Sequence, residues 1–190
     1  MKFLNLAFDK AMVSLAPFVA SPPEVVRAML ELAQVSKDDV ICDMGCGDGR
    51  ILFMAVSEFG VKKAIGYEIR RDLYNIVLDK VLGEDLSDRV VVYNRDCITA
   101  DLSDVTVITL YLTTSGNDKL RPKFEREAKP GTRIVSHDFS ITGWKAAKIE
   151  RFGGHTIYLY IVPEAFQSRL YEETREKRST RSFWPFGRDW

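Results

Sequence analysis

Asp43-Met44-Gly45-Cys46-Gly47-Asp48-Gly49-Arg50 is the stretch that decides the fold. The short apolar run Val40-Ile41-Cys42 leads into it, and a helical pattern carrying Leu52, Ala55, Val56 and Phe59 on one side leaves it. An apolar run, a glycine-rich turn and a helix, in that order, bring backbone N–H groups and a helix N-terminus up to a ligand at the end of a parallel sheet. The spacing separates this loop from a dinucleotide site. That site reads G-x-G-x-x-G, whereas here the glycines fall at 45, 47 and 49, with a carboxylate two residues before the first of them.

A diphosphate is repelled by such a carboxylate, but a ligand carrying an ammonium and a sulfonium is attracted by it. S-adenosylmethionine (SAM) meets that demand and is the expected cofactor. Asp43, Gly45, Cys46, Gly47 and Asp48 are its candidate ligands in the loop. Strand two, Lys63 to Glu68, ends in an acidic residue about 20 positions beyond the loop, where a carboxylate accepts hydrogen bonds from ribose hydroxyls, so Glu68 joins them. At the end of strand three, Arg89 to Tyr93, Asp96 could accept from the exocyclic amine of adenine and Cys97 pack on the ring. The alternative for Asp96, weighed equally, is a helix cap or turn residue.

Working outward, Ser21-Pro22-Pro23-Glu24 reads as the start of a helix with Ser21 as N-cap, followed by Val26, Met29, Leu30 and Ala33 at helical spacing. Leu73, Ile76, Val77 and Val81 give a third helix, stopped at Gly83. Val105 to Leu112 is a β-branched and apolar run suited to a strand buried on both faces. Asn117 to Lys129 is a helix with Pro122 near its first turn, and Arg133 to Ser136 is strand five. Ala147 to Phe152, Gly153-Gly154 and His155 to Val162 form a β-hairpin. Alternating strands and helices closed by a hairpin predict an α/β, Rossmann-like seven-stranded SAM methyltransferase sheet, mostly parallel with one antiparallel strand from the C-terminal hairpin. The expected division is an amphipathic extension over 1–20, the methyltransferase domain over 21–163 and a charged, aromatic tail over 164–190.

Composition bounds the partners. In 190 residues, Lys plus Arg and Asp plus Glu are both 27, so no strongly basic face is implied and extended nucleic-acid binding is not favoured. Cys42, Cys46 and Cys97 form neither a zinc spacing nor a disulfide framework, and with only His137 and His155 besides, there is little to complete a metal site; none is expected. Small buried thiols point to a reducing, cytoplasmic setting. Asp9 and Lys10 interrupt the apolar N-terminus, leaving it short of the about 20 residues that span a bilayer. Peripheral membrane contact by the termini stays open.

Residues from about Ser21 to Val162 resemble the small archaeal protein-lysine methyltransferases of broad specificity, which are similar to the eukaryotic mitochondrial lysine methyltransferases. The resemblance is carried by the segments 23–30 (Pro-Glu-Val-Val-Arg-Ala-Met-Leu), 43–51, 129–137, Gly143-Trp144 and 155–160. It implies SAM as cofactor, with Asp43, Gly45 and Gly47 at its methionine moiety and Glu68 at its ribose. It further implies, as acceptors, protein substrates that present accessible lysines.

Methyl transfer is a displacement at carbon that needs alignment more than an acid or base. Lysine, with an ordinary pKa near 10.4, must also lose a proton, a handicap of roughly 4–5 kcal/mol at pH 7. Tyr111, Thr113 and Thr114 after strand four could orient the amine, and His137 with Asp138 at the end of strand five could meet it or equally cap a loop. For Tyr158 and Tyr160, lining the acceptor channel is weaker than ordinary strand packing. The tetrapeptide Asn/Asp-Pro-Pro-aromatic of nucleic-acid amino methyltransferases is missing from 111–114. An RNA acceptor is the second reading, followed by a small molecule and by SAM binding without chemistry.

Overall fold

The structure is a computed structural model that describes residues 14–166. The expected amphipathic pattern before residue 14 and the charged helix and aromatic end after 166 lie outside the described residues. The elements run α1 (Pro23–Leu32), β1 (Val40–Met44), α2 (Arg50–Ser57), β2 (Lys63–Tyr67), α3 (Arg71–Gly83), β3 (Val90–Tyr93), a 3-10 turn (Cys97–Thr99), β4 (Val107–Leu110), α4 (Thr114–Glu127), β5 (Arg133–His137), β6 (Lys148–Phe152) and β7 (His155–Ile161). They build one seven-stranded sheet in the order β3-β2-β1-β4-β5-β7-β6. β1 to β5 pair in parallel, and β7 runs antiparallel between β5 and β6. The expected fold class is the observed one.

Period-two alternation divides the core between the two faces of this sheet. Ile41, Val107, Val135, Ile157 and Leu159 pack with α1, α2 and α3 through residues such as Met29, Leu30, Leu52 and Val77. The neighbouring positions Cys42, Ile108, Ile134 and Tyr160 pack on the opposite side with Leu120 and Phe124 of α4 and with Trp144. β4 is buried at all four positions, as a central strand covered on both faces must be.

Three local expectations are corrected. Ser21 does not cap α1: the N-cap is Pro22, Pro23 has no N–H to satisfy, and the N–H groups of Val25 and Val26 both donate to the Pro22 carbonyl. Its hydroxyl is free to meet His137 instead, 2.8 Å from Nδ1. Pro122 lies inside α4, because the helix begins at Thr114 with the Thr113 hydroxyl accepting from the Gly116 N–H. Ile76 is exposed, so α3 buries only Leu73, Val77 and Val81.

At the end of the sheet where the parallel strands start, buried Asp39 ties three segments together. It accepts from the Ser36 N–H (2.8 Å) and the Thr106 hydroxyl (2.7 Å) and pairs with the Arg133 guanidinium, which also donates to the carbonyls of Ala33 and Gln34. Burial alone would raise this carboxyl, but Thr106, Ser36 and Arg133 together hold it below the ordinary range. Arg133→Ala is expected to cost about 2–4 kcal/mol by orphaning a buried carboxylate, read as a lower denaturation midpoint. The lowered folded pKa means that Asp39 stabilises the fold above the unfolded value near 4, and this contribution is lost as pH falls through the folded pKa. An unchanged midpoint in the variant would contradict this role.

Candidate active site

In a sheet ordered 3-2-1-4-5 the connections diverge between β1 and β4, and ligands bind at the carboxyl ends of the strands at that point. A cavity opens there. Its floor is the loop after β1. The N–H groups of Gly45 and Cys46 donate to the Tyr67 carbonyl (2.9 and 3.0 Å), and that of Gly49 to the Cys46 carbonyl (2.8 Å). Gly49 adopts φ +78° at the start of α2, where a Cβ would lie 2.8 Å from Phe53 and 3.0 Å from Val77, so both backbone and packing demand glycine. Gly47, at φ +56°, donates its N–H to Glu68 at 2.8 Å.

Asp43, at the end of β1, is 2 % exposed and accepts a 2.7 Å hydrogen bond from Thr109 on β4. Burial pushes its carboxyl up to about 7; Thr109 opposes the shift, and Glu68 and Asp48 add to it. A buried acid in this position costs stability when ionised, and a bound cation removes that cost. The ammonium of SAM fits, where a diphosphate does not.

Glu68 is held at the cavity wall by two backbone donors, Gly47 to Oε2 and Arg70 to Oε1, both at 2.8 Å. Each carboxylate oxygen keeps capacity to accept from a ribose hydroxyl. Asp48 also lines the cavity, but the Arg50 guanidinium hydrogen-bonds to it and keeps its carboxyl below the usual range. Arg50 then donates to the Ser21 carbonyl, so the pair fixes the chain before α1. Asp96 caps the 3-10 turn through the Ile98 N–H (3.0 Å), the turn role read from sequence, and it lines the cavity as well. Cys46 and Cys97 sit in the wall. Burial raises both thiols, that of Cys97 to about 12, so they contribute packing surface and not charge.

Of the residues read as orienting the acceptor, Tyr111 alone among Tyr111, Thr113, Thr114 and His137 lines the cavity. Its ring stacks on His137, with centroids 3.8 Å apart. Burial, with Asp138 nearby, raises its hydroxyl pKa. His137 is fully buried behind it, between Ser21 and His155, and is held neutral with a pKa near 4, chiefly by burial. Thr113 caps α4 and Thr114 is that helix's first residue. Tyr160 is a core residue whose hydroxyl accepts from the Ile141 N–H at 3.0 Å, and Tyr158 stacks beside it.

The sequence reading missed the roof. Residues 14–20, read as part of an amphipathic extension packed on the domain or on a partner, run along the cavity with Ser21. The Leu15 carbonyl accepts from the Thr113 hydroxyl at 3.1 Å and approaches Gly116 so closely that a Cβ there would lie 3.1 Å from it. A glycine in the first turn of α4 was the available signal. Arg70 and Arg95 also line the rim.

Comparison with known proteins fits this geometry. Residues 43–148 match the model of the ANTKMT methyltransferase domain. A protein-lysine N-methyltransferase of Saccharolobus islandicus is 42% identical over 152 residues, 78% of this chain and 94% of that protein. An ATP synthase lysine N-methyltransferase of Xenopus laevis is 24% identical over 144 residues, 76% of this chain and 62% of that protein. A crystal structure described as an RNA methyltransferase from Salinibacter ruber, in complex with S-adenosyl-L-homocysteine, superposes with a TM-score of 0.73 at 40% identity, covering 77% of this chain and 95% of that one. The seven-stranded sheet, the acidic glycine loop at its switch point and these matches establish that the chain belongs to the ANTKMT methyltransferase domain family.

Proposed function

We propose that the protein transfers the methyl group of SAM to lysine ε-amines of proteins. The observation that carries the acceptor is the 42% identity over 152 residues to an archaeal protein-lysine N-methyltransferase, 94% of whose length is covered. Bound SAM supplies an electrophilic methyl carbon on a sulfonium. The chain's part is to hold and orient. Asp43 pairs with the ammonium, Glu68 accepts from the ribose, and Asp96 with Cys97 borders the base. Tyr111 forms the wall at which an acceptor amine is aligned. The apolar residues of 15–20 exclude water, and a desolvated amine sheds its proton more readily than one in water.

An RNA acceptor is the second reading, supported by the description of the Salinibacter protein and by Arg70 and Arg95 at the rim. The residues that bind SAM do not distinguish the two. We place the protein in the cytoplasm on the ground that its three cysteines are free and buried, as a reducing compartment keeps them. Methyl-labelled SAM offered with parallel pools of native protein, RNA and small metabolites tests the acceptor. Label on lysine, traced by mass spectrometry, is expected. Label confined to RNA or metabolites would overturn it.

A further inference from the structure

The chain has two histidines, and folding brings them together. His137 ends β5 and His155 opens β7, and the antiparallel pairing of those strands sets one beside the other at the sheet end. Asp138 follows His137 with φ +58°, an uncommon conformation for a non-glycine residue. It is pinned there from both sides of one residue: the Asp138 N–H donates to the Thr156 carbonyl (2.7 Å), and Asp138 Oδ1 accepts from the Thr156 N–H (2.8 Å). The other carboxylate oxygen, Oδ2, is left facing the imidazoles.

We infer that His137 Nε2, His155 Nδ1 and Asp138 Oδ2 form a binding site for a divalent transition-metal ion of the zinc and cobalt type. The three atoms make a triangle with sides of 2.9 Å (His137 to His155), 2.9 Å (His155 to Asp138) and 3.4 Å (His137 to Asp138). Two mirror-image points, each about 1.1 Å off their plane, lie about 2.1 Å from all three atoms. There the donor–metal–donor angles are about 87–108°, between an octahedral face and a tetrahedron.

The surroundings suit an ion. The hydrogen bond with Ser21 occupies His137 Nδ1 and leaves Nε2 for the metal, the outer-shell support that ligating histidines ordinarily have. His137 is fully buried, whereas the side chains of His155 and Asp138 are each 29% exposed. The ion can therefore enter from solvent and complete its coordination with water. Two nitrogens and one carboxylate oxygen suit zinc, cobalt or nickel better than magnesium or calcium, which take mostly oxygen. The competing thiols are kept protonated by burial. The sequence alone left such a site a ligand short because Asp138 and His155 are 17 positions apart, and the hairpin closes that gap.

The site lies behind Tyr111, whose ring stacks on His137, and outside the cavity wall that would hold SAM. Its occupancy is therefore read without reference to methyl transfer, and the inference stands or falls separately from the acceptor. The test is titration of the metal-free full chain with Co2+, followed by its visible d–d absorption, and with Zn2+ by competition, with Ca2+ as the control. One saturable equivalent of Co2+, displaced by Zn2+ and not by Ca2+, is expected. His155→Ala and Asp138→Asn should each weaken binding tenfold or more, and Ser21→Ala about tenfold. Circular dichroism identifies variants that retain the fold, and Asp138→Asn, which is nearly isosteric, covers a failure of His155→Ala. No saturable binding up to about 1 mM Co2+, or affinity equal to wild type in a folded variant, would overturn the site and leave the cluster as a hydrogen-bonded clasp between strands.

Discussion

Asp43→Asn is expected to make the ligand-free protein more stable while weakening SAM by about 100-fold or more at pH 8. Asparagine keeps an oxygen to accept from Thr109 and removes a charge from a fully buried position near Glu68 and Asp48. With a folded pKa near 7 against about 4 unfolded, the aspartate costs on the order of 4 kcal/mol once ionised. The raised pKa sets the sign. The contribution of Asp43 to the stability of the free protein is greatest below pH 4, is lost as pH rises through 7, and leaves the full penalty at pH 8. In the proposed complex the same charge would face an ammonium, and removing one partner of a buried charge pair costs about 2–5 kcal/mol. Thermal melts and calorimetric titrations check the two halves. A folded variant with unchanged SAM affinity would remove Asp43 from the site.

The second large effect is expected from deleting residues 1–20. Residues 15–20 roof the cavity, and the Leu15 carbonyl is fastened to Thr113. Among the described residues, none of 14–20 belongs to either buried core cluster, although Leu15 and Ala16 pack against the one around α4. The shortened chain should stay folded and bind SAM at least tenfold more weakly, because its cavity stands open to water on that side. Equilibrium titration of the two forms decides this. Equal affinity would return 1–20 to the status of a separate extension.

The two regions these variants probe differ in how far the sequence made them legible. Asp43 and Glu68 could be read because each ends a strand whose period and composition are local signals, and because a parallel sheet sends every such end to the same edge. The hairpin was equally plain, since Gly153-Gly154 separates two β-rich runs and both glycines have positive φ. The roof was not legible. Residues 14–20 have no regular secondary structure, so no periodicity marks them, and their position depends on contacts with a helix about a hundred residues away.

Thr113 and Ser21 failed for a related reason. A hydroxyl can cap a helix, hold a partner side chain or meet a ligand, and only the fold selects among these. Thr113 was read as a site residue and is a cap, whereas Ser21 was read as a cap and supports His137. Pro122 went wrong with Thr113, because missing the cap moved the helix start from Thr114 to Asn117. His137 was read as a residue that could meet the acceptor or cap a loop, but it lies outside the cavity lining and beside His155.

The pH dependence of SAM affinity in the wild-type protein, set beside that of Asp43→Asn, tests the role of this buried carboxylate most directly. On the proposed assignment the cofactor's ammonium pairs with the ionised form of Asp43, and the free protein's carboxyl has a pKa of about 7. Acidification must therefore compete with binding: Kd for wild type should rise by about tenfold per unit as pH falls from 7 to 5 and level off above 8. Asp43→Asn should bind weakly with little change across the same range. A wild-type Kd that stays flat from pH 5 to 8, or a variant that keeps the wild-type slope, would contradict the assignment of Asp43 as the cofactor's counter-ion.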